Sequence, residues 1–214
     1  RRATINYTRH EDRDNLEIYV GNLNDMKFEE KYDYVVLNGV FEYAMSFTEG
    51  ETPYETFLNY IATFLKPDGI VLIAIENRLG LKYFAGAPED HTEKCFVGLN
   101  GYENNTSVRT FSKKELTAVL DRCGFEHKKF YYPYPDYKFP NEIFTDESLQ
   151  TQAYGKEYLD FNCNRVELFQ EPLVAASLAH ENVADVFANS FFVEASRQQI
   201  VRSEEVVYAK MNRD

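Results

Sequence analysis

Glu76 closes the apolar run GIVLIAIE (69–76), and His91 lies downstream in the loop APEDH (87–91). A carboxylate or an imidazole within hydrogen-bond reach of a hydroxyl can take its proton. Singly, such residues are more often structural. Asn77 and Arg78 follow Glu76 directly and are suited to grip a sugar hydroxyl or a carboxylate, although Arg78 can equally pair with an acid. His91 and Cys95 have a ligand-like spacing, but two ligands do not make a metal site, so no metal is expected. The run FYYPYPDYKF (130–139) carries six aromatics among ten residues. Tyr132 and Tyr134 either pack on the core or offer faces and hydroxyls to carbohydrate rings. KYDYVVLNGVFEYA (31–44) adds Asn38, donor and acceptor at once, and Gly39, which admits a ligand close to the backbone.

The bulk numbers narrow the partners. The 214 residues include 23 Lys and Arg against 35 Asp and Glu, a net charge of −12. The basic residues are scattered, so a phosphate backbone is repelled and nucleic acid is an unfavoured partner. No apolar run approaches the roughly 18 residues of a membrane span, and mean hydropathy is −0.49. Cys95, Cys123 and Cys163 are odd in number and lack a C-x-x-C spacing, which fits a reducing cytoplasm. One cored domain is the expectation for this length.

Several elements must position these groups. LEIYV (16–20), YVVL (34–37) and GIVLIAI (69–75) read as strands, the last two buried on both faces because their hydrophobicity is continuous. Between them, TPYETFLNYIATFLKPDG predicts a helix over 53–65, with Thr52 and Glu55 as a capping box, Pro53 at its first position and Lys66-Pro67-Asp68-Gly69 as a stop. Strand, helix and strand make a right-handed βαβ unit. Ser112 and Glu115 form a second capping box, with Leu116, Val119, Leu120 and Cys123 as the apolar stripe and Gly124 as the end. FEHKKFYY (125–132), VFANSFFVEA (186–195) and VVYAKM (206–211) read as strands, and 165–181 as a helix disturbed by Pro172.

Asn38-Gly39 can be a hairpin turn or the end of a strand. A five-residue hairpin partner sits awkwardly inside a crossover, so the strand end is favoured. Ligands of open α/β sheets bind beyond the carboxyl ends of strands, which places Asn38 to Tyr43 along the cleft.

In this order the chain resembles the later part of a class I S-adenosylmethionine-dependent methyltransferase. YDYVVLNGVFEYA (32–44) is similar to that family's fourth strand and loop, KPDGIVLIAIEN (66–77) to its fifth strand with the "lkPGG.l.i..pN" pattern, and FSKKELTAVLDRCGF (111–125) to its late helix. FANSFFVEA (187–195) is similar to its seventh, antiparallel strand. The resemblance spans roughly 14–195. IENRLGLKYFAGAPEDH and YYPYPDYKFP are similar to methyltransferase domains found beside glycosyltransferases in bacterial polysaccharide synthesis.

The resemblance implies a Rossmann-like α/β sheet with a helical insertion of about 140–184 before the last strand, and 196–214 as an extension. It implies S-adenosylmethionine as cofactor, held by Asn22, Leu23 and Asp25 after strand three and by Asn38, Gly39, Val40 and Phe41 after strand four. The acceptor is a small molecule or glycan, with Glu76 and His91 as bases and Asn77, Arg78, Tyr132 and Tyr134 as contacts. The family's Gly-rich first loop and the acid about 20 residues beyond it are missing, since no G-x-G occurs in the chain. RRATINYTRH looks like the helix after strand two, so strands one and two are expected upstream and the cofactor site is partial. Residues 16–20 would then lack their neighbours and expose an edge able to pair with a second copy. The alternative is a non-catalytic scaffold of this fold attached to a glycosyltransferase.

Overall fold

A computed structural model describes residues 1–102, 107–151, 165–166, 168–202 and 204–211. The chain divides into two compact units, Arg1–Glu30 and Lys31–Asp214. In the first, α1 (Arg2–Arg9) is the helix expected of RRATINYTRH, and Asn22 to Asp25 form a short 3-10 turn in which the Asn22 side chain accepts from Asn24 N at 3.2 Å. Residues 16–20 carry no strand, contrary to expectation. A strand needs a ladder partner for its backbone, and Leu16, Tyr19 and Val20 are instead exposed.

The second unit is a six-stranded mixed sheet in the order β1-β2-β5-β3-β4-β6 with helices between the strands. β1 (Tyr32–Asn38) is followed by a 3-10 turn (Phe41–Tyr43) and the short α2 (Ala44–Phe47), then α3 (Pro53–Ala62), β2 (Leu65–Glu76) and α4 (Leu81–Phe84). Next come α5 (Lys113–Arg122), β3 (His127–Tyr134), β4 (Glu142–Thr145), α6 (Asp146–Thr151), α7 (Glu171–His180) and α8 (Ala184–Phe187). β5 (Ser190–Ser196) and β6 (Tyr208–Lys210) complete the sheet. β1 and β2 are parallel, as the βαβ reading requires, and β5 runs antiparallel between β2 and β3.

α3 starts at Pro53 as expected and buries Tyr54, Phe57, Leu58 and Ile61, but it ends at Ala62 rather than at 65, and Lys66-Pro67-Asp68-Gly69 lies within β2 instead of acting as the helix stop. Its expected capping box is absent. Glu55 turns away to Arg122 on α5, at 2.8 and 2.6 Å, and ties the two helices together. The Ser112–Glu115 box forms as expected and starts α5, whose Leu116, Val119 and Leu120 join the core. Pro172 does not disturb a helix but begins one: α7 starts at Glu171, because proline is tolerated in the first turn, where its missing N–H has no partner to lose. The insertion adds β4 to its helices, and residues 152–164 of it lie outside the described residues.

β1 corrects the expectation of burial on both faces. Leu37 is buried, but Tyr34 and Val36 are each 59% exposed, so one face of this outer strand is bare. β2 meets the expectation at its carboxyl end: Val71, Ile73 and Ile75 are fully buried, and on the other face Ala74 and Glu76 are buried too, while Ile70 and Leu72 before them are half-buried. No helix among the described residues is long and apolar enough to cross a membrane.

Candidate functional site

β1 and β2 end side by side, with Asn38 paired to Ala74. The chain leaves β1 through Gly39 at φ +62°, a left-handed backbone that costs a residue with a Cβ. There is no hairpin. The Tyr137 hydroxyl lies 2.8 Å from where a Cβ on Gly39 would stand. Gly39→Ala is therefore expected to lower stability by about 1–2 kcal/mol, read from a urea unfolding midpoint, and to push Tyr137 off its neighbour Glu76.

Beyond the glycine, Phe41 turns into the core. It is fully buried, stacks on Phe111 at 5.4 Å and meets Tyr54 edge-on at 5.5 Å. A cofactor contact for Phe41 is thereby corrected, while Asn38 is exposed and Val40 half-buried at the strand end. With Phe41 pinned, Glu42 is carried to the position where the last residue of β2, Glu76, also ends. The loop after α4 brings His91 to the same place, so that one donor atom from each of Glu42, Glu76 and His91 lies within 4.8 Å of the others.

This cluster is nearly sealed. Glu42 is 1% and Glu76 0% exposed, and Oε2 of each carboxylate is buried with no hydrogen-bond partner among the described residues. Oε1 of Glu76 accepts from Lys138 Nζ and, at 3.4 Å, from the Tyr137 hydroxyl. Burial pushes the Glu76 carboxyl above its ordinary value, with Lys138 pulling it back. His91 Nδ1 meets Glu89 Oε1 at 2.9 Å, Nε2 faces Glu42 Oε1 at 3.7 Å, and Tyr43 packs edge-on to the ring at 5.3 Å. Burial alone would push the imidazole down, but its neighbours Glu42 and Glu89 carry it up to about 10. The ring is thus held between two carboxylates, Glu89 on Nδ1 and Glu42 facing Nε2.

A second layer encloses the first. Lys82, buried on α4, binds Asp90 at 2.9 Å and Asp136 at 3.2 Å, while the Tyr83 hydroxyl donates to Asp90 at 2.5 Å. Lys138 also reaches Asp90, at 3.3 Å. Burial works against the charge on Asp90, but Lys82, Tyr83 and Lys138 together hold its carboxyl down to about 2. Glu89 likewise sits below its ordinary value: burial opposes this, and the hydrogen bonds from His91 and Thr92 outweigh it.

Four expected substrate contacts do structural work instead. Asn77 is fully buried, and its amide donates to Val186 O at 2.8 Å and Ala188 O at 2.7 Å while accepting from Leu79 N at 3.0 Å. Arg78 pairs with Glu115 at 2.6 Å and donates to Gly98 O at 3.1 Å. Tyr132 is fully buried with its hydroxyl on Asp146 at 2.5 Å, and Tyr134 packs edge-on to Phe144. Neither tyrosine offers the open face that stacking on a sugar requires. Cys95 is exposed and lies outside the cluster. The residues missed in sequence were Glu42, Lys82, Glu89, Asp90, Asp136, Tyr137 and Lys138. Their signal was a lysine flanked by apolar residues in GLKYFAG and acids bunched beside His91.

No protein-family profile matches the sequence, and no curated protein matches it. Among solved structures, it is similar to a SAM-dependent methyltransferase of Thermotoga maritima, described as a possible histamine N-methyltransferase, with a TM-score of 0.40 and 12% identity over 83% of this chain and 62% of that one. It is also similar to PKMT2 of Rickettsia typhi in complex with AdoHcy, with a TM-score of 0.41 and 12% identity over 94% of this chain. This chain spans 42% of the Rickettsia chain.

Proposed function

We propose that this chain is part of a protein that moves a methyl group from S-adenosylmethionine to a hydroxyl of a small molecule or glycan. The observation that carries the reading is the meeting of Glu42, Glu76 and His91 beyond the carboxyl ends of the parallel strands β1 and β2, where open α/β sheets hold their ligands. The strand order, with β5 antiparallel between β2 and β3, agrees with it.

The cofactor supplies an electrophilic methyl group. Asn38 and Val40 flank the strand end on which it would rest, and Gly39 between them lets the Tyr137 hydroxyl and Glu42 Oε1 close in on the backbone there. In-line transfer depends chiefly on positioning, and a hydroxyl acceptor must also lose its proton. The unpaired oxygens of Glu42 and Glu76 are the groups that receive it, while His91, braced by Glu89, orients the acceptor.

The test is transfer of labelled methyl from S-adenosylmethionine by the whole protein to polyol and oligosaccharide acceptors. Label should appear on a hydroxyl, and Glu76→Gln, with an unchanged circular dichroism spectrum, should slow it by about 100-fold or more. Equal rates in the variant would overturn the assignment. A second reading, a non-catalytic scaffold attached to a glycosyltransferase, draws on the structural engagement of Asn77, Arg78, Tyr132 and Tyr134. It gains if the wild-type protein neither transfers label nor binds S-adenosylhomocysteine.

A further inference from the structure

Two carboxylate oxygens of the cluster, Oε2 of Glu42 and Oε2 of Glu76, are buried and meet no hydrogen-bond donor among the described residues. Leaving a buried carboxylate oxygen without a partner is costly, and here Glu42 and Glu76 each leave one so. Glu89 grips His91 from behind, through Nδ1 at 2.9 Å and through its backbone N–H at 3.0 Å. That leaves Nε2 as the free end of the ring, facing Glu42 at a distance too long for a hydrogen bond. An imidazole held by a carboxylate on one nitrogen and open on the other is how metal-binding histidines are oriented.

We propose that Glu42, Glu76 and His91 bind one divalent first-row transition ion of the manganese or zinc type, with Glu89 fixing the tautomer and direction of His91. Ligands around such an ion sit about 2.0–2.2 Å from it, so donors must approach within roughly 4.4 Å of each other. The observed limit of 4.8 Å therefore asks for a small rotation of one carboxylate, with the ion taking the place of the Nε2 proton. Two carboxylates with one imidazole suit manganese, iron or zinc better than calcium or magnesium, which take oxygen alone. Three protein ligands leave positions open to water or to an acceptor hydroxyl. An ion held there would take over from Glu42 and Glu76 the activation of an acceptor hydroxyl, by lowering the pKa of the bound oxygen, and because all three ligands lie in this chain its binding is measured without any methyl-transfer assay.

The experiment uses this chain, stripped with a chelator and titrated with manganese(II) and with zinc. Calorimetry should give saturable binding of one ion per chain. Pulsed electron paramagnetic resonance of the manganese form should show coupling to a single imidazole nitrogen. His91→Ala should abolish that coupling and weaken binding by about 100-fold, and Glu89→Gln, which touches no ion, by about 10-fold or more. Should His91→Ala fail to fold, Glu89→Gln decides. The absence of saturable binding up to millimolar free ion overturns the proposal. So does binding that lacks the nitrogen coupling or is unaltered in both variants, since the ion would then sit on surface acids.

Discussion

Lys82→Ala is expected to destabilise the fold by about 3–5 kcal/mol, because it removes the buried ammonium shared by Asp90 and Asp136, whose side chains are only 10% and 17% exposed. Lys82 is 7% exposed and binds both Asp90 and Asp136, and its charge lies 5.0 Å from the Tyr83 ring centre. Truncating one member of such a set costs more than the set contributes, so Lys82→Met combined with Asp90→Asn should recover part of the loss. Urea unfolding of the three proteins checks this, and equal midpoints for Lys82→Ala and wild type would refute it. The same contacts set an acid limit. Asp90 has a folded pKa of about 2 against an ordinary value of 3.8, so its stabilisation is present above the ordinary value and is lost as pH falls toward 2. The Lys82 ammonium is held above its ordinary value despite burial, chiefly by Asp136 and Asp90. Its contribution is complete at neutral pH and lost only in alkali beyond that value.

Phe41→Ala is expected to cost about 3–5 kcal/mol through the cavity it opens. The ring is fully buried among Tyr54, Phe57 and Phe111, and alanine leaves all three facing a void. The loss is not only one of packing. Phe41 anchors the turn that carries Glu42, so the variant should also lose the meeting of Glu42 with His91. Phe41→Leu, which keeps most of the volume, should cost clearly less. Thermal and urea unfolding rank the pair, and a Phe41→Ala protein as stable as wild type would refute the role.

The fold was legible where local and global signals agree. Pro53 and the apolar period of α3, the Ser112–Glu115 box and the apolar run of β2 placed elements correctly, because each depends on neighbours in sequence. LEIYV failed for the opposite reason: β propensity cannot supply a strand with a partner. Continuous hydrophobicity in YVVL did not guarantee burial on both faces, since what covers a strand is settled by other segments. Glu76 and His91 were found in sequence, but what they meet was not. Glu42 reaches them only through the Gly39 turn, and Lys138 only through the loop after β3. The expectation of no metal weighed His91 against Cys95, a neighbour in sequence, whereas folding pairs His91 with residues from two strand ends.

The antiparallel placement of β5 also sets the order in which the sheet can be finished. β2 gains its partner β1 from the segment just before it, but its other side, from Ile70 to Glu76, pairs with Ser196 to Ser190. Asn77 likewise waits for Ala188, 111 positions later. Closing so long a loop makes this a slow, non-local step. On the ribosome, where chains grow at about 5–20 residues per second, β2 spends seconds with one apolar edge open. The strand that completes this edge of β2 is thus made long after it, and a chain halted before Ser190 leaves that edge without its partner.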